Sequence, residues 1–208
     1  MKIKVCGMTA ADNLEEILQA KPDFVGFIFY DKSSRNIEIS EALEMDTKGI
    51  KKVGIFVNEE IEELAKTMAK YKLDYAQLHG DESPEYCNKL KNHSTSIIKS
   101  FSVDAHFDFN HLKPFLPYVD YFLFDTKGEK RGGNGVKFNW NMLSDYHLDK
   151  PFFLSGGITE KDADEINKLK HPQLFAVDIN SGFEISPGVK NPERVKHFVQ
   201  KLTVKMNQ

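Results

Sequence analysis

The chain has 208 residues, of which 40% are hydrophobic and 28% charged, a composition typical of globular proteins. Its net charge of −3 gives no reason to expect a nucleic-acid partner, since such partners require a basic surface. Two cysteines are too few for a disulfide scaffold, and no apolar run approaches the roughly 20 residues that span a bilayer. The N-terminal residues lack a secretory pattern. We therefore expect a single domain over residues 1–208, cytoplasmic and without a membrane partner.

Eight short runs of apolar, β-branched or aromatic residues predict β-strands. Their hydrophobicity is nearly continuous rather than alternating, which is typical of strands buried on both faces of a parallel sheet. In chain order the runs are Lys2 to Cys6, Asp23 to Phe29, Lys52 to Val57, Asp74 to Leu78, Ser96 to Phe101, Val119 to Phe124, Phe152 to Leu154 and Leu174 to Ile179.

Helical patterns separate these runs. Thr9 and Asn58 are predicted N-caps, and Ser83, Thr159 and Asn191 each open a further helical stretch. Weaker helical patterns cover residues 40–49, 109–117 and 139–146. Strict alternation predicts either a closed (β/α)₈ barrel or an open, doubly wound sheet. Because the first strand lacks the glycine fingerprint of a nucleotide-binding sheet, the barrel is favoured.

Polar residues and glycines gather directly after the strand runs. In a barrel, the ends of the strands meet at one rim, and this rim carries the active site. The candidate residues are Cys6, Arg35, His79, Asp125, Gly156, Gly157, Asp178, Ser181 and Gly182. Their convergence indicates an enzyme.

The last two glycine-containing turns predict a phosphate site for a small phosphorylated substrate. Gly156 and Gly157 would let backbone N–H groups approach a ligand, and Ser181–Gly182 could open a short helix that attracts an anion. Barrels often build phosphate sites from these two loops, although either dipeptide alone could be a simple turn. Arg35 could hold a carboxylate or phosphate through two parallel hydrogen bonds, or be a solvated surface residue.

Cys6 and Asp125 are the predicted acid–base pair. A thiol can act as a base if positive charge lowers its pKa, and a carboxyl can act as an acid if burial raises its pKa. The alternatives are that Cys6 only packs and that Asp125 only forms a turn. His79 could contact a ligand or be structural, whereas Cys87 lies within a predicted helix and is expected to pack. The glycine-rich residues 132–135 could form a lid or a connector.

Several of these segments together resemble the phosphoribosylanthranilate isomerase family. The matching segments are Lys4–Thr9, Gly26–Phe29, Lys32–Arg35, Val53–Asn58, Gln77–Gly80, Phe124–Asp125, Leu154–Ile158, Val177–Glu184 and Pro187–Lys190. The resemblance implies a barrel without cofactor or metal that performs an Amadori rearrangement. The aminoaldose N-(5-phosphoribosyl)anthranilate would become the aminoketose 1-(2-carboxyphenylamino)-1-deoxyribulose 5-phosphate.

The resemblance also implies a role for each candidate. Asp125 would protonate the ring oxygen and Cys6 would remove the C2 proton. Arg35 would hold the anthranilate carboxylate and Asp178 would contact the substrate near its amine, while the last two loops bind the phosphate. Asn134 and Asn180 depart from the family pattern, but neither is the proposed acid or base.

Two alternatives remain at this point. A related isomerase of histidine biosynthesis would pair two aspartates and grip two phosphates, whereas this chain has Cys6 in the first strand and one evident phosphate site. A catalytically inactive barrel used for binding would keep Arg35 and the glycine loops, but would not explain Cys6 together with Asp125.

Overall fold

The computed structural model describes residues 1–37, 41–126 and 137–203. Within these residues, eight parallel strands close into a barrel in which each strand pairs with the next and the first pairs with the eighth. The strands are β1 (Lys2–Val5), β2 (Phe24–Phe29), β3 (Lys51–Phe56), β4 (Tyr75–Leu78), β5 (Ser96–Val103), β6 (Tyr121–Thr126), β7 (Phe152–Leu154) and β8 (Leu174–Ile179). Closure confirms the predicted barrel and excludes the open sheet.

Both faces of the strands are buried, as their continuous hydrophobicity predicted. Side chains that alternate along a strand point to opposite faces. One set fills the barrel interior: Cys6, Phe24, Val53, Ile55, Ile98, Leu123, Phe153 and Ala176. The other set packs against the surrounding helices in a larger cluster that includes Val5, Val25, Phe27, Phe122 and Phe124.

The outer layer of the described chain consists of α-helices and short 3₁₀ helices. The α-helices are α1 (Ala11–Gln19), α2 (Glu41–Glu44), α3 (Ile61–Tyr71), α4 (Pro84–Lys91), α5 (Ala163–Lys168) and α6 (Pro192–Thr203). The 3₁₀ helices are Phe109–Phe115, Trp140–Asp145, Glu160–Asp162 and Ser181–Phe183. The first two of these 3₁₀ helices lie in the weak helical patterns at residues 109–117 and 139–146. The segment after β5 contains Pro114, which lacks the N–H that a longer α-helix requires.

Two predicted N-caps are wrong, because their side chains bind other loops. Thr9 donates its hydroxyl to the carbonyl of Gly188 at 3.0 Å, and α1 begins two residues later. Asn58 accepts the N–H of Asp81 at 2.7 Å and thereby ties the loop after β3 to the loop after β4. The prediction for Ser83 is confirmed, since its hydroxyl oxygen caps α4.

A short hairpin follows the barrel. Strands β9 (Glu184–Ser186) and β10 (Val189–Lys190) pair antiparallel between β8 and α6. Asn13 of α1 fixes the hairpin to the barrel, since its side chain exchanges two hydrogen bonds of 2.8 Å with the backbone of Lys190. The hairpin therefore lies over the rim at which β1 and β8 end.

Aromatic rings close the opposite end of the barrel. They come from the first or second residue of five strands: Phe24, Tyr75, Tyr121, Phe153 and Phe175. Phe153 is central, with ring centroids 5.4 Å from Phe24 and from Tyr121 and 5.5 Å from Phe175. In the described part of the chain, no helix has both the length and the apolarity needed to cross a membrane.

Candidate active site

A cavity opens at the C-terminal ends of the strands. Eight of the nine candidate residues line it: Cys6, His79, Asp125, Gly156, Gly157, Asp178, Ser181 and Gly182. The sequence therefore placed these residues at one rim correctly, because each is among the last two residues of a strand or follows a strand. Arg35 does not line this cavity and is bound beside it, as described below.

Cys6 directly follows β1, and the residue is 4% exposed. Gly26 on β2 makes room for the thiol, since a Cβ there would lie 3.1 Å from the sulfur. Burial raises the pKa of the Cys6 thiol and Asp178 raises it further, whereas the ammonium groups of Lys4 and Lys190 lower it. The net pKa is above the ordinary value, contrary to the expected lowering, because desolvation outweighs the two cations.

Asp125 lies on β6 and faces His79 across the cavity. Its Oδ1 accepts the N–H of Thr126 at 2.8 Å, and its Oδ2 is 3.5 Å from Nε2 of His79. On its other side, Nδ1 of His79 is 3.1 Å from the side-chain nitrogen of Gln77. If that amide donates to Nδ1, the neutral ring carries its proton on Nε2, toward Asp125. The acid candidate therefore has a histidine within 3.5 Å, and the role of this histidine was left open by the sequence.

Asp178 on β8 forms a buried ion pair with Lys4 on β1. The two residues are direct neighbours in the β1–β8 register, and Nζ lies 3.0 Å from Oδ1. Burial raises the pKa of Asp178, although Lys4 lowers it. Burial opposes the charged form of Lys4 as well, but Asp178 and Cys6 hold the pKa of Lys4 above its ordinary value. Sequence reasoning missed Lys4, although a charge two positions before Cys6 within an apolar strand was a detectable signal.

Arg35 is held by Glu184, a residue that the sequence analysis did not assign. The guanidinium donates from Nε to Oε1 at 2.8 Å and from Nη2 to Oε2 at 2.6 Å. Lys190 donates to Oε1 of Glu184 at 2.5 Å and to Oδ1 of Asn180 at 2.7 Å. Burial alone would raise the pKa of Glu184, but these hydrogen bonds from Arg35 and Lys190 hold it at about 2. The two parallel hydrogen bonds of Arg35 thus go to a carboxylate of the protein, and its predicted bond to a ligand stays a prediction.

The two glycine loops lie against each other. Gly156 and Gly157 have φ values of +93° and +63°, which favour glycine. A Cβ at Gly156 would lie 2.8 Å from Oδ1 of Asp125, so this turn also packs against the candidate acid. Gly182 approaches the next loop even more closely, since a Cβ there would lie 2.0 Å from the carbonyl oxygen of Ile158. The glycines allow two adjacent backbone turns to face the cavity.

A second buried ion pair supports the loop that carries His79. Lys99 on β5 lies 3.0 Å from Oε2 of Glu82 and also donates to the carbonyls of Leu78 and Gly80, which flank His79. Sequence analysis missed this pair, because neither residue directly ends a strand.

Among residues 1–37, 41–126 and 137–203, no group of three or more His, Cys, Asp or Glu side chains could hold a metal ion. Cys87 is buried in α4, as predicted. Residues 132–135, for which a lid or a connector was considered, lie outside the described part of the chain.

Comparison with known proteins agrees with this geometry. The family described as N-(5'phosphoribosyl)anthranilate (PRA) isomerase matches residues 3–201. The N-(5'-phosphoribosyl)anthranilate isomerase of Parabacteroides distasonis is 43% identical over 206 residues, covering 97% of this chain and 93% of that protein. That of Phocaeicola vulgatus is 39% identical, covering 99% of this chain and all of the relative.

Solved structures of the same family also superpose on this chain. The phosphoribosyl anthranilate isomerase of Thermotoga maritima superposes with a TM-score of 0.85 at 30% identity, covering 98% of this chain and 99% of that one. A further phosphoribosyl anthranilate isomerase, solved in complex with reduced 1-(o-carboxyphenylamino)-1-deoxyribulose 5-phosphate, superposes with a TM-score of 0.82 at 28% identity, with 98% and 99% coverage. The fold, the arrangement of the rim and these matches together show that the chain belongs to the phosphoribosylanthranilate isomerase family.

Proposed function

We propose that this chain converts N-(5-phosphoribosyl)anthranilate into 1-(2-carboxyphenylamino)-1-deoxyribulose 5-phosphate, with Cys6 as general base and Asp125 as general acid. The observation that carries the proposal is one cavity lined by a thiol, a carboxyl and two glycine turns, in a chain that matches the family over residues 3–201. The same match supports a single catalytic domain over residues 1–208.

Asp125 is proposed to open the ribose ring. Its carboxyl donates a proton to the ring oxygen while the nitrogen lone pair forms a double bond to C1 and the C1–O bond breaks. The ring oxygen becomes a hydroxyl and the nitrogen becomes a cationic iminium. The position of Asp125 beside the glycine turn supports this role, because the acid faces the cavity from a fixed strand.

Cys6 is proposed to take the proton from C2 of the iminium. The iminium charge acidifies this C–H bond. As the C–H electron pair forms a C1=C2 double bond, the π pair of the C1=N bond returns to nitrogen, which gives a neutral enaminol. Protonation at C1 and loss of the proton from the 2-hydroxyl then complete the ketone. The cationic intermediate also favours the thiolate electrostatically, which offsets the raised pKa of the buried Cys6 thiol.

The glycine turns are proposed to bind the phosphate. Backbone N–H groups at Gly156–Gly157 and Ser181–Gly182 require no charged side chain, and such turns form concave sites for anions. The contact between Gly182 and the carbonyl of Ile158 supports a shared site for both loops.

Arg35 and Asp178 are proposed to position the anthranilate half of the substrate. A guanidinium has five N–H donors, so the two bonds to Glu184 leave others that could hold the substrate carboxylate. Glu184 would then fix the orientation of the guanidinium before the substrate arrives. Asp178 lines the cavity and would lie near the amine.

A direct assay tests the proposal. Purified protein is incubated with freshly prepared N-(5-phosphoribosyl)anthranilate, and chromatography separates the substrate from its isomeric product. We expect conversion well above that of a protein-free control. A parallel incubation with the aminoaldose of histidine biosynthesis tests the related reaction. Folded protein that leaves the anthranilate substrate unchanged would contradict the proposed function.

A further inference from the structure

Lys4 is a fully buried cation inside the barrel, on the strand that leads to Cys6. The two residues are two positions apart, so their side chains leave the strand on the same face. That face is the barrel interior, in which Cys6 packs against residues of other strands. A buried lysine is rare and costs free energy, so its place beneath the thiol calls for an explanation.

Charged groups on several elements interact electrostatically with the thiol of Cys6. They are Lys4 on β1, Asp178 on β8, Lys190 on β10 and Arg35 in the loop after β2. Further away, Asp125 on β6 and His79 after β4 shift the pKa of Asp178.

All three of these cations are paired with anions. Glu184 binds both Arg35 and Lys190, whereas Lys4 is bound by Asp178 at 3.0 Å. The largest charge effect on Cys6 comes from Lys4.

We propose that Lys4 is a positioning residue whose buried ammonium stabilises the thiolate of Cys6 and so enables it to accept the substrate proton. The inference rests on the proposed function, in which Cys6 is the base. It assigns to Lys4 a task beyond its ion pair with Asp178, which joins β1 and β8. Backbone hydrogen bonds between these strands already hold them, and buried ion pairs add little net stability compared with apolar residues.

The test measures the ionisation of Cys6 without substrate. In a Cys87→Ala background Cys6 is the one remaining thiol, since the chain has two cysteines. Only the thiolate reacts with iodoacetamide, so the alkylation rate as a function of pH gives the pKa of Cys6. We expect Lys4→Met to slow alkylation at pH 8 by about ten-fold or more, corresponding to a shift of at least about one pKa unit. Lys4→Arg should retain most of the wild-type rate.

Asp178→Asn should change the alkylation rate of Cys6 in the opposite direction. Removing this carboxylate should accelerate alkylation, because Asp178 disfavours the thiolate that Lys4 favours. Lys99→Met is the matched control, since Lys99 forms a comparable buried pair with Glu82 but is not among the groups that act on Cys6. Opposite shifts in the two test variants, with no shift in the control, cannot arise from a general loosening of the barrel.

Equal or same-direction shifts in Lys4→Met and Asp178→Asn would overturn the proposal. If Lys4→Met does not fold, the double variant Lys4→Met/Asp178→Asn is compared with Asp178→Asn and must react more slowly. With substrate, Lys4→Met should lower kcat, leave KM within a few-fold and move the rise of kcat to higher pH. Near-wild-type kcat in Cys6→Ala would instead refute the proposed base and leave the alkylation result standing.

Discussion

The two ends of the barrel interior are built from different kinds of residue. At the N-terminal end of the strands, aromatic rings such as Phe24 and Phe153 meet edge to face, with Lys2 above Phe24. At the other end, charged side chains such as Lys4 and Asp178 are buried in ion pairs. Aromatic packing stabilises a fold directly, whereas burying charges costs free energy unless every charge is paired. We infer that the aromatic end stabilises the fold, whereas the charged end lowers stability and supplies the groups for the proposed reaction.

The largest expected effect is at the charged end. Asp125→Asn removes the proposed acid while keeping its shape, so kcat should fall by about 10²–10⁴-fold with KM within a few-fold. Steady-state kinetics with the phosphoribosyl substrate measure this. A variant that keeps its kcat would remove Asp125 from the reaction.

Phe153→Ala tests the aromatic end. The ring is fully buried and contacts three other rings, so its loss should lower the free energy of unfolding by about 3–5 kcal/mol. Urea denaturation gives this value, and the folded variant should keep the kcat and KM of the wild type. A large loss of kcat in the folded state would show that the two ends are not separable.

Glu184→Gln tests whether the charged end also contributes stability. The folded pKa of about 2 lies below the ordinary value of 4.5, so its stabilisation is present above that value and is lost as pH falls toward 2. The difference in unfolding free energy between wild type and variant should therefore shrink as the pH is lowered from 6 toward 3. A difference that is independent of pH would mean that the ion pair is not its source.

The smallest of these effects is expected at Arg35. Arg35→Ala should weaken substrate binding by roughly 1.5–3 kcal/mol, the usual scale for a hydrogen bond to a charged group. Arg35→Lys should restore part of this loss, because an ammonium lacks the planar fork. Product analogues with and without the carboxylate provide the control. Equal losses for both would contradict the carboxylate role.

Local structure could be predicted from the sequence, whereas contacts between residues far apart in the chain could not. The strands and the residues that follow them were predictable, because hydrophobic runs and strand ends are local patterns. The partners of Arg35 and Asp178 were not, since Glu184 is 149 residues from Arg35 and Lys4 is 174 residues from Asp178. Only closure of the barrel brings them together.

The pKa of Cys6 illustrates the same limit. From the sequence, Cys6 could act as a base if positive charge lowered its pKa. The direction of the pKa shift depends on burial, however, and burial is a property of the folded chain. The predicted N-caps at Thr9 and Asn58 were wrong for a related reason. Both side chains bind loops that are distant in sequence or follow another strand.

Cys6 is proposed to act as the base at the charged end of the barrel, and kcat of Cys6→Ala tests this role most directly. Alanine fills most of the small buried site, so folding should be preserved. Its methyl group cannot accept a proton, so the proposed base is lost. We predict that kcat falls by about 10²–10⁴-fold with KM within a few-fold, and that Cys6→Ser is also poor because a hydroxyl is harder to deprotonate. A near-wild-type kcat in Cys6→Ala would contradict the account, leaving Cys6 as a packing residue and His79 as the next candidate for the base.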